Sequence, residues 1–215
     1  MSDGPKIFCI GLPKTGTTSL EYFLENYNEQ GFKIYANAYN SCLMNCFKKG
    51  KYDFSAFDCE VQGVNVFSEM PAAIFWKNFY DQYPDAKFIY TTRKKEDWLR
   101  SCQHWWERFS VEDGLIIDND LKKRGKFSKE ASEALSFYKK KLFGNYLYDE
   151  RIFSDVYDKH HASVFEFFRD KDNFLHLPLE LDNDSKLVAV SDFLELDREQ
   201  IAIRYPKKNR SRYKK

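Results

Sequence analysis

The run Phe8-Cys9-Ile10-Gly11-Leu12-Pro13-Lys14-Thr15-Gly16-Thr17-Thr18-Ser19-Leu20 joins an apolar segment to a helix-forming one through two glycines. No other feature of the chain constrains its fold as much. An apolar strand that turns at glycine directly into a helix is the opening unit of an alternating strand and helix architecture built on a parallel sheet. The same turn suits a phosphate, because N–H groups at a helix N-terminus lack partners within the helix and lie along its dipole. Thr17, Thr18 and Ser19 add hydroxyls. The spacing Gly11-x-x-x-x-Gly16 is that of a P-loop, yet Thr17 stands directly after the second glycine, where Walker-type hydrolases and kinases carry lysine. Lys14 sits inside the loop instead.

The alternation continues along the chain. Lys6 to Ile10 reads as a short buried strand, followed by a helix from about Thr17 with Leu20, Phe23, Leu24 and Tyr27 at helical spacing. Lys33 to Ala36 reads as a second strand, Ser41 to Lys48 as a helix ended by Gly50, and Val64 to Ser68 as another apolar strand. A helix with Pro71 near its start carries Ala72, Phe75, Trp76, Phe79 and Tyr83 along one side. Lys87 to Thr92 reads as a central strand, running into a helix from about Glu96 with Trp98, Cys102, Trp105 and Phe109 on one face. From Gly114 to Gly125 the pattern dissolves into polar residues. Ser128 to Phe143 and Glu150 to Phe168 read as helices, the first a candidate lid, and Phe174 to Leu177 and Ser185 to Leu194 as a last strand and helix. The fold class this implies is α/β, a P-loop-type three-layer fold with a central parallel sheet flanked by helices and ligands at the carboxyl ends of the strands.

At 215 residues, 43% hydrophobic and 31% charged, the chain is expected to form a single domain over residues 1–215 with a full core. Aromatic residues make up 18%, enough either to line a pocket or to fill an aromatic core. A net charge of +1 argues against general nucleic-acid binding; basicity is concentrated in the tail 207–215. Cys9, Cys42, Cys46, Cys59 and Cys102 are odd in number and scattered, which favours neither a disulfide framework nor a zinc site and suits a reducing compartment. No apolar run approaches membrane-spanning length, and Met1 to Pro5 leaves no room for a signal peptide ahead of the first strand. A cytoplasmic protein is expected.

A second anion site is marked by Phe88-Ile89-Tyr90-Thr91-Thr92-Arg93, a strand ending in arginine, with Ser101 eight positions later on the next helix. A Walker-type enzyme would end an equivalent strand in an aspartate for magnesium. An arginine fork and a hydroxyl suit a phosphate monoester instead. A phosphate loop with an interior lysine, together with strand-Arg-x7-Ser, resembles the PAPS-dependent sulfotransferases. Phe67-Ser68-Glu69-Met70-Pro71, Tyr83-Pro84-Asp85-Ala86-Lys87-Phe88-Ile89, a late helix with His160, and Tyr205-Pro206-Lys207-Lys208-Asn209 look like successive landmarks of a compact soluble branch of that family.

The resemblance implies a donor, 3′-phosphoadenosine 5′-phosphosulfate (PAPS), a small hydroxyl-bearing acceptor, adenosine 3′,5′-bisphosphate as product, and no metal. It implies that Pro13, Lys14, Thr15, Gly16, Thr17, Thr18 and Ser19 cradle the 5′-phosphosulfate and that Arg93 and Ser101 hold the 3′-phosphate. Lys14 would stabilise charge on the leaving phosphate. Glu69, where the family more often has aspartate, is placed to act as general base or to complement the dipole of its helix; Asp58 and His104 are the other base candidates. The C-terminal Arg-Lys-Gly motif of the well-known cytosolic members is missing, so a third 3′-phosphate contact is open among Lys207, Lys208 and Arg210. His160 reads as a satisfied core histidine. Phe67, Phe75, Trp76, Trp105 and Trp106 are candidates to bound an acceptor pocket or simply to pack. Two other classes compete: a nucleotide-dependent phosphotransferase, and a binding module that keeps nucleotide affinity without turnover.

Overall fold

Alternation along the strands sets the layering. In β1 (Ile7–Cys9), β3 (Val66–Phe67) and β4 (Lys87–Thr92), successive side chains enter two separate cores. Phe8, Ile10, Phe67, Phe88 and Tyr90 join one, and Ile7, Cys9, Val66 and Ile89 the other. The computed structural model describes residues 6–28, 31–53, 63–201 and 203–206. With β2 (Ile34–Tyr35) and β7 (Phe174–Pro178), these strands form a five-stranded sheet in the order β2-β3-β1-β4-β7. Every pairing is parallel, with Ile7 opposite Val66, Phe8 opposite Phe88 and Tyr90 opposite His176.

Helices cover both faces. On one, Leu20, Phe23 and Leu24 of α1 (Thr17–Asn26), Val190 of α8 (Asn183–Leu194) and Tyr205 close over Ile7 and Cys9. On the other stand α2 (Ser41–Lys48), α3 (Glu69–Gln82), α4 (Lys95–Trp106), α6 (Lys129–Phe143) and α7 (Glu150–Phe168). That core is aromatic at its centre: Phe8 stacks on Phe79, Phe88 and Phe67 with ring centroids 4.7, 5.3 and 5.6 Å away. Phe67, Phe75, Trp76 and Trp106 belong to this packing. The abundance of aromatic residues thus builds the interior first.

Three expectations need correction. The stretch after Gly114 is not irregular: β5 (Phe109–Glu112) and β6 (Leu115–Asp118) form an antiparallel hairpin, followed by α5 (Asn119–Lys123). Its two-residue turn is Asp113-Gly114, both at positive φ (49° and 75°), as a hairpin twist demands and as the Asp-Gly pair signals. Phe109 therefore leaves the helical face it was assigned to, and α4 ends at Trp106. Nor is α6 a lid. Leu135, Tyr138 and Phe143 are buried, Ser132 Oγ donates to the Ile116 carbonyl at 2.5 Å, and Ser136 Oγ accepts from the Ile116 N–H at 2.8 Å, so the hairpin and α6 are stitched together. Among the cysteines, Cys9, Cys46 and Cys102 are free thiols while Cys42 is disulfide-bonded, where the scattered spacing had favoured no disulfide.

Candidate functional site

The loops leaving β1 and β4 lie side by side at the carboxyl ends of adjacent parallel strands, with α1 on one face of the sheet and α4 on the other. This is where open α/β sheets hold ligands. A cleft of about 260 Å³ opens there, lined by Pro13, Lys14, Gly16, Thr17, Thr18, Ser19, Glu69, Arg93, Ser101, Trp105 and Leu179.

The loop is fixed from behind. Gly11 has no room for a side chain, since an added Cβ would lie 2.0 Å from Thr91 Oγ1 and 2.6 Å from the Thr91 carbonyl oxygen. Thr15 turns inward, donating its hydroxyl to the Leu12 carbonyl at 2.6 Å and sharing a 2.8 Å hydrogen bond with Thr91 Oγ1. The Trp98 indole N–H donates to the Pro13 carbonyl at 2.7 Å. His160 Nε2 lies 3.0 Å from the Ile10 carbonyl; burial pushes this imidazole down to about 4, and a carbonyl only accepts, so the neutral ring carries its proton on Nε2 and donates it. Carbonyls are thus occupied at the back, while on α1 the Ser19 and Leu20 N–H groups donate to the Gly16 carbonyl at 3.0 and 3.3 Å, the Thr17 and Thr18 N–H groups precede them, and the N-cap, Gly16, offers no side chain. Gly16 sits at φ 105°, and Leu179, just beyond β7, closes over it: an added Cβ would stand 2.8 Å from Leu179 Cδ1.

Lys14 and Glu69 share an unusual backbone. Both adopt left-handed φ, 74° and 68°, a conformation that strains a residue with a side chain by about 1–3 kcal/mol. Their charges oppose one another. Burial pushes the Lys14 ammonium below the ordinary lysine range, an effect that the nearby Glu69 charge counters and Arg93 and Arg108 reinforce. Burial pushes the Glu69 carboxyl up, opposed by Lys14 and by Thr17, whose Oγ1 stands 3.5 Å from Glu69 Oε1. Arg93 follows β4, and the Tyr157 hydroxyl fixes its carbonyl at 2.7 Å. Among the described residues no ion pair engages its guanidinium, and Asp97 pairs with Arg100 instead.

Of the residues singled out in the sequence, the cleft gathers Pro13, Lys14, Gly16, Thr17, Thr18, Ser19, Glu69, Arg93 and Ser101. Thr15 is buried behind it. His104 is exposed on α4 and lies 3.4 Å from Glu107. Asp58, Lys207, Lys208 and Arg210 lie outside the described residues. Among the described residues, no three His, Cys, Asp or Glu side chains group as metal ligands, and no helix is long and apolar enough to cross a membrane.

Sequence reasoning missed Leu179, which the rule of strand carboxyl ends points to, and the wall behind Trp105. That indole has three cationic side chains around it: Lys14 Nζ at 5.4 Å, the Arg108 guanidinium at 5.3 Å and Lys139 Nζ at 5.7 Å from its centroid. Arg108 is held by Asp118, a fully buried carboxylate that also accepts from Tyr39 Oη at 2.8 Å and from the Asp120 and Leu121 N–H groups at 3.1 Å. Burial raises the Asp118 carboxyl, but hydrogen bonds from Arg108, Leu121 and Tyr39 outweigh it and leave Asp118 below its ordinary value. Lys139 is fully buried, and its Nζ has no hydrogen bond among the described residues; it rests on the Phe109 and Trp106 rings at 3.0 and 4.4 Å. Burial pushes its ammonium down to about 6.

Comparison with known proteins agrees with this architecture. Residues 6–211 match the family model described as sulfotransferase domain, and the chain belongs to that family. Over 92% of its length it superposes on 83% of a sulfotransferase from Alicyclobacillus acidocaldarius, with a TM-score of 0.52 and 18% identity, a likeness of fold. It is also 28% identical over 109 residues to Ava biosynthesis cluster protein M of Aspergillus versicolor; the match covers 46% of this chain and 42% of that protein.

Proposed function

We propose that the protein transfers a sulfuryl group from PAPS to a small, hydroxyl-bearing acceptor. One observation carries the reading: a single cleft holds the open N-terminus of α1, Lys14, a carboxylate at Glu69, and the arginine–serine pair Arg93 and Ser101. A donor with phosphates at two separate positions needs two anion sites within one crevice. The α1 N–H groups with Thr17, Thr18 and Ser19 would take the 5′-phosphate. Arg93 and Ser101 would take the 3′-phosphate. The fit also rests on charge, for the guanidinium of Arg93, which makes no ion pair among the described residues, and the half-buried Lys14 stand in the cleft beside the acid Glu69.

In the reaction, the acceptor oxygen forms a bond to sulfur as the bond from sulfur to the bridging phosphate oxygen breaks, and the leaving electron pair stays on that oxygen. Lys14 and the loop N–H groups meet this developing charge. Glu69 takes the acceptor's hydroxyl proton; burial raises its basicity, and the nearby Lys14 charge counters that rise. The charge on the leaving group is met by protein groups, so the scheme uses no metal. Trp105, beside Lys14, would bound the acceptor.

Three measurements test the proposal. By calorimetry, adenosine 3′,5′-bisphosphate should bind more tightly than ADP, and equal or reversed affinity would remove the 3′-phosphate site. Glu69→Gln should slow transfer from labelled PAPS while leaving nucleotide affinity nearly intact; full activity would move the base elsewhere. A screen of acceptors with labelled PAPS separates an enzyme from a nucleotide binder, since a binder labels none.

A further inference from the structure

Ser68 occupies the N-cap position of α3 with an extended backbone (φ −139°, ψ −176°), and serine is among the best residues for closing a helix there. It does not do so. The third helical residue is Pro71, which has no N–H to offer a capping oxygen. The Ser68 hydroxyl goes instead to Glu21 of α1, donating to Oε1 at 2.6 Å. On its other side, the Ser68 N–H donates to the Tyr35 carbonyl of β2 at 3.0 Å. The serine, 1% exposed, is held from both flanks directly before Glu69, whose left-handed backbone turns the chain into α3.

Glu21 follows Thr17 by one helical turn, so both side chains face the same segment. Thr17 Oγ1 stands 3.5 Å from the Glu69 carboxylate and Glu21 grips Ser68. We propose that Glu21 is a positioning residue: through Ser68 it holds the strained turn that presents Glu69 to the cleft. The arrangement carries an electrostatic penalty that packing alone would not select. Burial and the nearby charge of Glu69 push the Glu21 carboxyl up to about 7, despite the hydrogen bond from Ser68. A second acid stands beside the cleft carboxylate where an apolar residue would pack without that penalty.

The inference rests on Glu69 acting as base, and the test separates the two. Glu21→Ala should lower kcat by about ten- to a hundredfold with little change in the KM for PAPS, because the loss is one of geometry at the proton acceptor. Glu21→Gln keeps an oxygen to accept from Ser68 and should recover most of the rate. Ser68→Ala, a smaller change that tests the same grip should Glu21→Ala fold poorly, should reproduce the slow phenotype. In a Glu69→Gln background, Glu21→Ala should cause no further loss, since it acts through the group already removed. Unchanged kcat in both Glu21→Ala and Ser68→Ala, equal losses in the Gln and Ala variants, or an additive loss in the double variant would each overturn the positioning role. Full activity of Glu69→Gln alone would instead overturn the base assignment on which it depends.

Discussion

Helices at the cleft and helices elsewhere begin in different ways. Asn40, Asp118, Ser128, Asp149 and Asp182 each accept a backbone N–H in the first turn of α2, α5, α6, α7 and α8. The three helices whose first residues approach the cleft, α1, α3 and α4, have no such bond. Gly16 has no side chain to give, Ser68 has given its hydroxyl to Glu21, and Lys94 is a cation where an acceptor is wanted. A missing cap forgoes about 1 kcal/mol at an ordinary residue and only a few tenths at a glycine such as Gly16. The strained φ of Lys14 and Glu69 falls on the same side of the molecule. The contrast teaches that side-chain caps are absent at the helix starts nearest the cleft and present at those away from it; under the proposed function the uncapped start of α1 is the one that meets the donor's phosphate.

Substitutions can break or sharpen that contrast. The largest effect is expected at Lys14: Lys14→Ala should lower turnover with PAPS about a hundredfold or more, read by steady-state kinetics, while shifting the melting temperature little. A large loss of stability there would erase the distinction between the two kinds of helix start. Arg93→Ala should weaken adenosine 3′,5′-bisphosphate about ten- to a hundredfold and abolish its advantage over ADP, as calorimetry would show. Lys139 tests the wall behind the cleft. Its folded pKa, about 6, lies below the ordinary 10.5, so the unfolded chain holds the extra proton between these values and stability rises with pH across that window. Lys139→Met should therefore stabilise by about 2 kcal/mol or more near pH 6 and progressively less toward pH 10 in denaturant titrations; a pH-independent change would deny the buried amine its role. Smallest is Asp149→Ala at the cap of α7, expected to lower stability by about 1 kcal/mol and to leave transfer unchanged.

Much of this could be read from residue order. The alternation of Ile7 to Ile10 and of Phe88 to Thr92, the glycines at 11 and 16, and Arg93 at a strand end are local patterns, and local patterns survive translation into a fold. The hairpin at Asp113-Gly114 was also written locally, but the aromatic spacing from Trp98 to Phe109 suggested a longer helix than α4 proves to be. Helical and strand periodicities compete there, and the turn pair decides.

What the sequence determined on its own was the sheet, the loop and the two cationic positions, because each depends on neighbours a few residues apart. Tertiary structure alone decided that Lys14 and Glu69 adopt left-handed backbone, that Ser68 serves Glu21 rather than its own helix, and that Lys139 lies buried near Trp105 without a hydrogen bond among the described residues. These are outcomes of competition between groups distant along the chain, where strain and burial in one place are balanced by contacts in another, and no window of sequence contains both sides of that balance.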